Sequence, residues 1–149
     1  MSDLKTALND AVKDAMKAKD NHTRDVLREL TAAVKQVEID TQKPVDDDGV
    51  MDTILKEIKK LRDTIEESRG VGREDLATEA EGKLVVMQRF LPEQLTRDEL
   101  QAIVQEVIAE TGVTDPKQMG KVMGALMPRV KGRADGKLVN EVVRDALKD

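Results

Sequence analysis

The sequence predicts an all-α fold, with an N-terminal four-helix domain followed by a small three-helix C-terminal domain. Apolar residues make up 39% of the chain and recur at intervals of three and four, the spacing of one helix face. Phe90 is the sole aromatic residue, whereas strands usually favour aromatic and β-branched side chains. Capping residues, glycines and prolines separate the apolar stretches into seven segments.

The first four helices are predicted at about residues 3–19, 22–40, 47–68 and 74–90. The third has the clearest apolar face, and either Ser2 or Asp3 suits the cap of the first. In the fourth, the expected stripe consists of Leu76, Ala80, Leu84, Met87 and Leu91. Gly82 in its middle costs about 1 kcal/mol relative to alanine.

A boundary between two domains, residues 1–92 and 93–149, is predicted at the run Phe90-Leu91-Pro92-Glu93-Gln94-Leu95. Thr96 and Glu99 have the spacing of a capping box, so the fifth helix begins there. Gly112 ends that helix.

Asp115 and Pro116 open the sixth helix, and Asp135 caps the seventh. Pro128 is expected to kink or end the sixth helix, because proline disfavours α geometry at the residue before it. Gly120 and Gly124 are expected to permit close packing of helices. Core filling is the favoured role of the methionines on this helix, with an adaptable partner groove as the alternative: Met119, Met123 and Met127.

The charge distribution is uneven. The chain has a net charge of −5, which does not favour general attraction to nucleic acid, yet residues 116–137 hold six basic residues and one acidic residue. The favoured interpretation is local: Lys131 and Arg133 suit a helix C-terminus, and Gly132 and Gly136 only shape the turn. The alternative is phosphate contact, with backbone N–H groups near Gly132 and at the start of the seventh helix joining Lys131 and Arg133. The candidate nucleic-acid-binding residues are Lys121, Arg129, Lys131, Arg133 and Lys137.

No catalytic constellation is apparent in the sequence. It contains no cysteine, no phosphate-binding loop motif and no serine in a nucleophile elbow, since its two serines are Ser2 and Ser68. We expect His22 to be a solvated or capping residue, and residues 46–48 to be an acidic helix start rather than a Mg²⁺ site. We therefore predict no catalytic residue, metal or cofactor. No apolar run has the length of a membrane span, so a cytoplasmic location without membrane contact is expected.

Two stretches resemble a known family. Gly120-Lys121-Val122-Met123 and the run Lys131-Gly132-Arg133-Ala134-Asp135-Gly136-Lys137-Leu138-Val139 resemble YqeY-like proteins, whose C-terminal domain is similar to the tail domain of GatB, a component of tRNA-dependent amidotransferase. Residues 28–30 and 90–95 fit the same family. The resemblance implies two helical domains and, because the GatB tail helps to position tRNA, contacts from Lys121, Lys131, Arg133 and Lys137. Pro128 has no counterpart in GatB tails, and Gly136 stands where they commonly carry proline.

These observations support three function hypotheses. The first is a non-catalytic factor that acts through its C-terminal domain by binding tRNA or a tRNA-handling protein. The second is a protein–protein adaptor that docks through residues 1–92 without binding RNA. The third is an accessory part of a carbon–nitrogen ligase that uses glutamine as amido donor. The sequence specifies neither an oligomeric state nor a partner.

Overall fold

The computed structural model of the protein describes residues 3–148, so Ser2 lies outside the described residues. Within that range it contains seven α-helices and no β-strand, which confirms the all-α prediction. A short 3₁₀ helix, Pro116–Gln118, precedes the sixth. The helices are α1 Asp3–Lys17, α2 Asn21–Thr41, α3 Asp47–Gly70, α4 Glu74–Gln88, α5 Arg97–Thr111, α6 Met119–Val130 and α7 Gly136–Leu147.

Contacts along the chain divide it into two compact units, Met1–Phe90 and Leu91–Asp149. The first unit contains α1 to α4 and the second contains α5 to α7. That 1–92 and 93–149 are two separate domains stays a prediction.

In the first unit, α3 makes its most extensive contacts with α4, to which it is joined by residues 71–73. Gly72 in this connection has a φ of +75°, a conformation that glycine adopts without steric cost. Asp20 and Asp46 cap α2 and α3 by accepting backbone N–H groups. The core side chains that are most completely buried include Leu8, Leu27, Leu30, Val50 and Ile54.

The face that α4 buries differs from the predicted one. Ala80 and Met87 are buried as expected, but Leu76 is 39% exposed, and Ala77 and Val86 are buried instead. The apolar run 84–87 has no single helical stripe, so periodicity alone did not select the correct face.

His22 links α2 to α4 within the first unit. Its Nε2 lies 3.2 Å from the carbonyl oxygen of Gly82, and the side chain is exposed. A Cβ at Gly82 would lie 3.5 Å from the same ring nitrogen, so the imidazole lies directly against the α4 backbone.

In the second unit, α5, α6 and α7 enclose a core built mainly from valine and leucine. The capping box is present, because Thr96 and Glu99 each accept the other's backbone N–H, and Gly112 follows α5 with a φ of +69°. The buried cluster is Leu95, Leu100, Val104, Val107, Val113, Val122, Leu126, Val130, Val139, Val142, Val143 and Leu147.

Pro128 does not end α6, which continues to Val130. Proline removes the N–H that would bond the carbonyl of Gly124, and this loss normally disfavours proline inside a helix. Here both residues are exposed, so water can reach that carbonyl, and only the last helical turn follows.

Gly120 and Gly124 do not mediate close packing, and that prediction is wrong. Both are exposed, and apart from the helix's own backbone and the adjacent residues, no atom of residues 3–148 lies within 4 Å of a Cβ added to either. Met119 and Met123 do pack against the core, as expected, whereas Met127 is 38% exposed. No helix in residues 3–148 combines the length and the apolar character that crossing a bilayer requires.

Candidate nucleic-acid interface in the second unit

Residues 131–135, which we call the α6–α7 turn, lie at the centre of the basic segment. The N–H of Lys131 donates to the carbonyl of Met127 at 2.9 Å, and the N–H of Arg133 donates to Val130 at 2.8 Å. Between them, Gly132 is buried and has a φ of +76°, the left-handed conformation that side chains disfavour. Gly132 thus permits the chain to reverse tightly after α6.

A second stretch of the same unit, residues 92–95, holds this turn in place. The side-chain amide of Gln94 donates to the carbonyl of Gly132 at 2.7 Å and to that of Pro92 at 2.8 Å. The N–H of Leu95 donates to the carbonyl of Arg133 at 2.8 Å, and the Leu95 side chain is buried in the core. Two successive carbonyls of the turn therefore accept hydrogen bonds from residues 94 and 95. Sequence reasoning treated this stretch as a boundary and missed the contact.

Arg129 forms ion pairs with two glutamates of α5. One guanidinium nitrogen lies 2.6 Å from Glu106 and the other lies 3.8 Å from Glu110. These pairs are partly exposed and contribute little to stability, but they place two carboxylates next to this cation.

Arg133 is half-buried, and its Nε lies 3.5 Å from the carbonyl oxygen of Glu93. Hydrogen bonds donated by Thr96 hold the pKa of Glu99 below its ordinary value, and the positive charge of Arg133 makes a smaller contribution in the same direction. The guanidinium of Arg133 is thus close to acceptors supplied by the start of the second unit.

The backbone donors of the turn are already engaged at two positions. The N–H of Arg133 bonds Val130, and that of Lys137 donates to the capping carboxylate of Asp135. A phosphate can use these N–H groups only by displacing internal acceptors. Further polar contacts within the protein involve the side chains or backbones of Lys131, Asp135 and Lys137.

Lys121 differs from the other candidates in position and surroundings. It is exposed on α6, and no carboxylate within residues 3–148 pairs with it. Ten residues separate it from Lys131, which corresponds to about 15 Å along a helix. The structure therefore groups Lys131, Arg133 and Lys137 around the turn and places Lys121 apart from them.

Two aspartates at the start of α3 in the first unit have structural partners. Asp46 caps α3, and the carboxylate of Asp47 accepts the N–H of Leu4 at 3.0 Å. Ser68 is buried within α3. In the part of the chain that the structure describes, no cluster of three or more potential metal ligands is found.

Known proteins resemble this chain in two ways. A sequence model of the family described as "Yqey-like protein" matches residues 5–147. The chain is 29% identical over 141 residues to "Altered inheritance of mitochondria protein 41, mitochondrial" of Pyrenophora tritici-repentis, a match that covers 91% of this chain and 76% of that protein.

Components of tRNA amidotransferases are also similar, through their C-terminal regions. The B component of the aspartyl/glutamyl-tRNA(Asn/Gln) amidotransferase of a Thermoanaerobacter species is 29% identical over 119 residues, which cover 72% of this chain and 25% of that protein. The E component of the glutamyl-tRNA(Gln) amidotransferase of Aeropyrum pernix is 37% identical over 60 residues, covering 38% of this chain and 9% of that protein. Because the family match spans nearly the whole sequence, the chain belongs to the YqeY-like protein family.

Proposed function

We propose that this protein is a non-catalytic accessory factor that binds tRNA through its second unit, residues 91–149. The observation that carries the proposal is the similarity to the C-terminal regions of two kinds of tRNA amidotransferase component. The shared part covers at most a quarter of those proteins. We therefore propose for this chain a binding role, and not the reaction that the whole amidotransferases carry out.

The local charge supports a phosphate-binding role. Residues 116–134 contain five basic residues and no acidic residue, although the chain as a whole carries −5. Contacts of lysine and arginine with phosphates release counterions, so binding should weaken steeply as salt rises. The unit from Leu91 onward has no aromatic side chain on which bases can stack, and this favours recognition of backbone and shape.

A role without catalysis is supported by the surroundings of the potential reactive groups. Ser68 is buried in a helix, and the His22 ring lies on a backbone carbonyl. Ser68 and His22 do not form a hydrogen-bonded pair of the kind that a nucleophile and its general base form.

We also propose a cytoplasmic location, on composition alone. The name of the Pyrenophora relative places that protein in mitochondria. Imaging of a tagged full-length chain in its own cells tests this location, and an organellar signal would refute it.

Binding of a fluorescent tRNA transcript, followed by anisotropy in a titration from about 50 mM salt upward, tests the function. We expect wild-type binding in the range of 10⁻⁴–10⁻⁶ M that is typical of electrostatic contacts. Replacing four candidate cations by glutamine should weaken binding and reduce its dependence on salt: Lys121, Lys131, Arg133 and Lys137.

In a matched control variant, glutamine replaces four exposed lysines of the first unit: Lys13, Lys17, Lys56 and Lys59. We expect this variant to bind tRNA almost as the wild type does. The two variants have the same net charge, so they separate a local interface from general charge. Absence of wild-type binding, or equal weakening by both variants, would refute the proposed function.

A further inference from the structure

The cations of the basic segment differ in how well the fold already accommodates them. Arg129 is paired with Glu106, the Nε of Arg133 lies 3.5 Å from the carbonyl oxygen of Glu93, and Lys131 and Lys137 take part in internal polar contacts. By contrast, Lys117 and Lys121 are exposed and have no carboxylate partner within residues 3–148. Phosphate contact at these two positions breaks no ion pair.

Lys117 lies in the 3₁₀ helix Pro116–Gln118, four residues before Lys121 on α6, and both side chains are exposed. Long lysine side chains at this spacing can reach neighbouring phosphates of one strand. α6 itself contains no acidic residue, and the nearest one on its N-terminal side, Asp115, accepts the backbone N–H of Lys117 at 2.9 Å. The charge of this helix surface is therefore complementary to a polyanion.

The same surface is open. Beyond the helix's own backbone and the adjacent residues, no described atom lies within 4 Å of a Cβ position at Gly120 or Gly124, and Pro128 is exposed. No bulky side chain from these positions stands between the two lysines and a ligand. We define the α6 basic face by Lys117, in the 3₁₀ helix just before α6, together with Gly120, Lys121, Gly124 and Pro128 of α6.

Building on the proposed function, we infer that the phosphate backbone of tRNA binds the α6 basic face through Lys117 and Lys121, and that the α6–α7 turn is not the principal contact. The turn then has a structural role, in which Gly132 and its hydrogen bond from Gln94 position α6. The assignment keeps Lys121 from the contacts that the family resemblance implies, adds Lys117, and leaves out those at the turn and the start of α7.

Three pairs of substitutions, each changing the net charge equally, test the assignment with the full chain and a tRNA transcript. Lys117→Gln with Lys121→Gln should reduce the slope of log K against log salt by roughly two, about one for each phosphate contact. Lys131→Gln with Lys137→Gln changes the turn, and Arg144→Gln with Lys148→Gln changes exposed cations of α7 and the residue after it. Both of these pairs should keep the wild-type slope.

If Lys131→Gln with Lys137→Gln reduces the salt slope as much as Lys117→Gln with Lys121→Gln does, the inference is overturned and the proposed function stays intact. A wild-type chain that does not bind tRNA overturns both. These two failures are thus distinguishable in one experiment.

Gly124→Glu gives an independent test, because it places a carboxylate on the face without a steric conflict. We expect tRNA binding to weaken at least about tenfold, while the melting temperature stays equal or rises, since glutamate favours a helix more than glycine does. Gly70→Glu is the matched control. Gly70 ends α3 in the other unit, and a Cβ at this position also has no described atom within 4 Å outside its own helix backbone and adjacent residues. The Gly70→Glu variant should bind tRNA as the wild type does. Wild-type affinity in Gly124→Glu, with normal folding, overturns the inference.

Discussion

Replacing Gln94 by alanine should destabilise the second unit by about 2 kcal/mol, because it removes both hydrogen bonds from the Gln94 amide, including the one to the α6–α7 turn. A hydrogen bond contributes about 0.5–1.5 kcal/mol net, and a buried acceptor left without a partner costs about 1–3 kcal/mol. Gly132, whose carbonyl loses its donor, is buried, so the upper part of the first range applies to that bond. The bond to Pro92, an exposed residue, contributes less because water can replace it.

Urea unfolding followed by circular dichroism measures the total change, and hydrogen exchange of the α5 to α7 amides localises it. The amides of α5 to α7 should exchange faster in Gln94→Ala, whereas those of α1 to α4 should not change. Gln101→Ala, at an exposed position on α5, is the matched control and should cost almost nothing.

Gln94→Glu sharpens the test. A carboxylate has the same length but donates no hydrogen bond, and its negative charge would face two carbonyl oxygens. It should therefore destabilise more than alanine. A loss below about 0.5 kcal/mol for Gln94→Ala, or tolerance of Gln94→Glu, would contradict the role we assign to this amide.

Three further predictions concern the backbone and the helix caps. Gly132→Ala should lower the free energy of unfolding in urea by about 1–2 kcal/mol, because the φ of +76° at this position is unfavourable for any residue with a Cβ. An unchanged free energy of unfolding would refute this reasoning. Pro128→Ala should stabilise the chain by about 1 kcal/mol or more, because it restores an N–H for the Gly124 carbonyl, and a lower melting temperature would contradict this. Hydrogen bonds donated by the Thr23 hydroxyl and N–H hold the pKa of Asp20 below its ordinary value, so this carboxylate stabilises the fold above that ordinary pKa, and the contribution is lost as the pH falls through the lowered pKa. Asp20→Asn should therefore flatten the dependence of melting temperature on pH below about pH 4, and a dependence as steep as that of the wild type would argue against the linkage.

The positions of helices were predictable from sequence where capping residues and the spacing of apolar residues indicate the same helix. Thr96 and Glu99 form their capping box, and Asp46 and Asp135 cap α3 and α7, because capping depends only on neighbouring residues. On α4 the periodic signal is ambiguous, since adjacent residues 84–87 are all apolar, and packing against α3 and α2 decided which face is buried. Local pattern could not reveal that choice.

The candidate site was predictable in composition but not in arrangement. Counting charges located the basic segment, yet only the structure shows that Arg129 faces Glu106 on another helix while Lys121 has no such neighbour among residues 3–148. Pairs that are 23 residues apart leave no mark in local sequence. The contact between Gln94 and Gly132 was missed for the same reason, because it joins residues 38 positions apart.

Residues 90–95 and 131–139, which both fit the family, meet in one structural feature, and this changes what the resemblance can say about function. Residues 92–95 supply donors to the carbonyls of Gly132 and Arg133, so much of the run 131–139 is explained by the need to fold this turn. A sequence explained by folding requires no ligand. Within the basic segment, Lys117 and Lys121 are exposed and have no carboxylate partner in the part of the chain that the structure describes. An interface should therefore be sought there first, and the charge-matched substitutions on the α6 basic face separate that possibility from the turn.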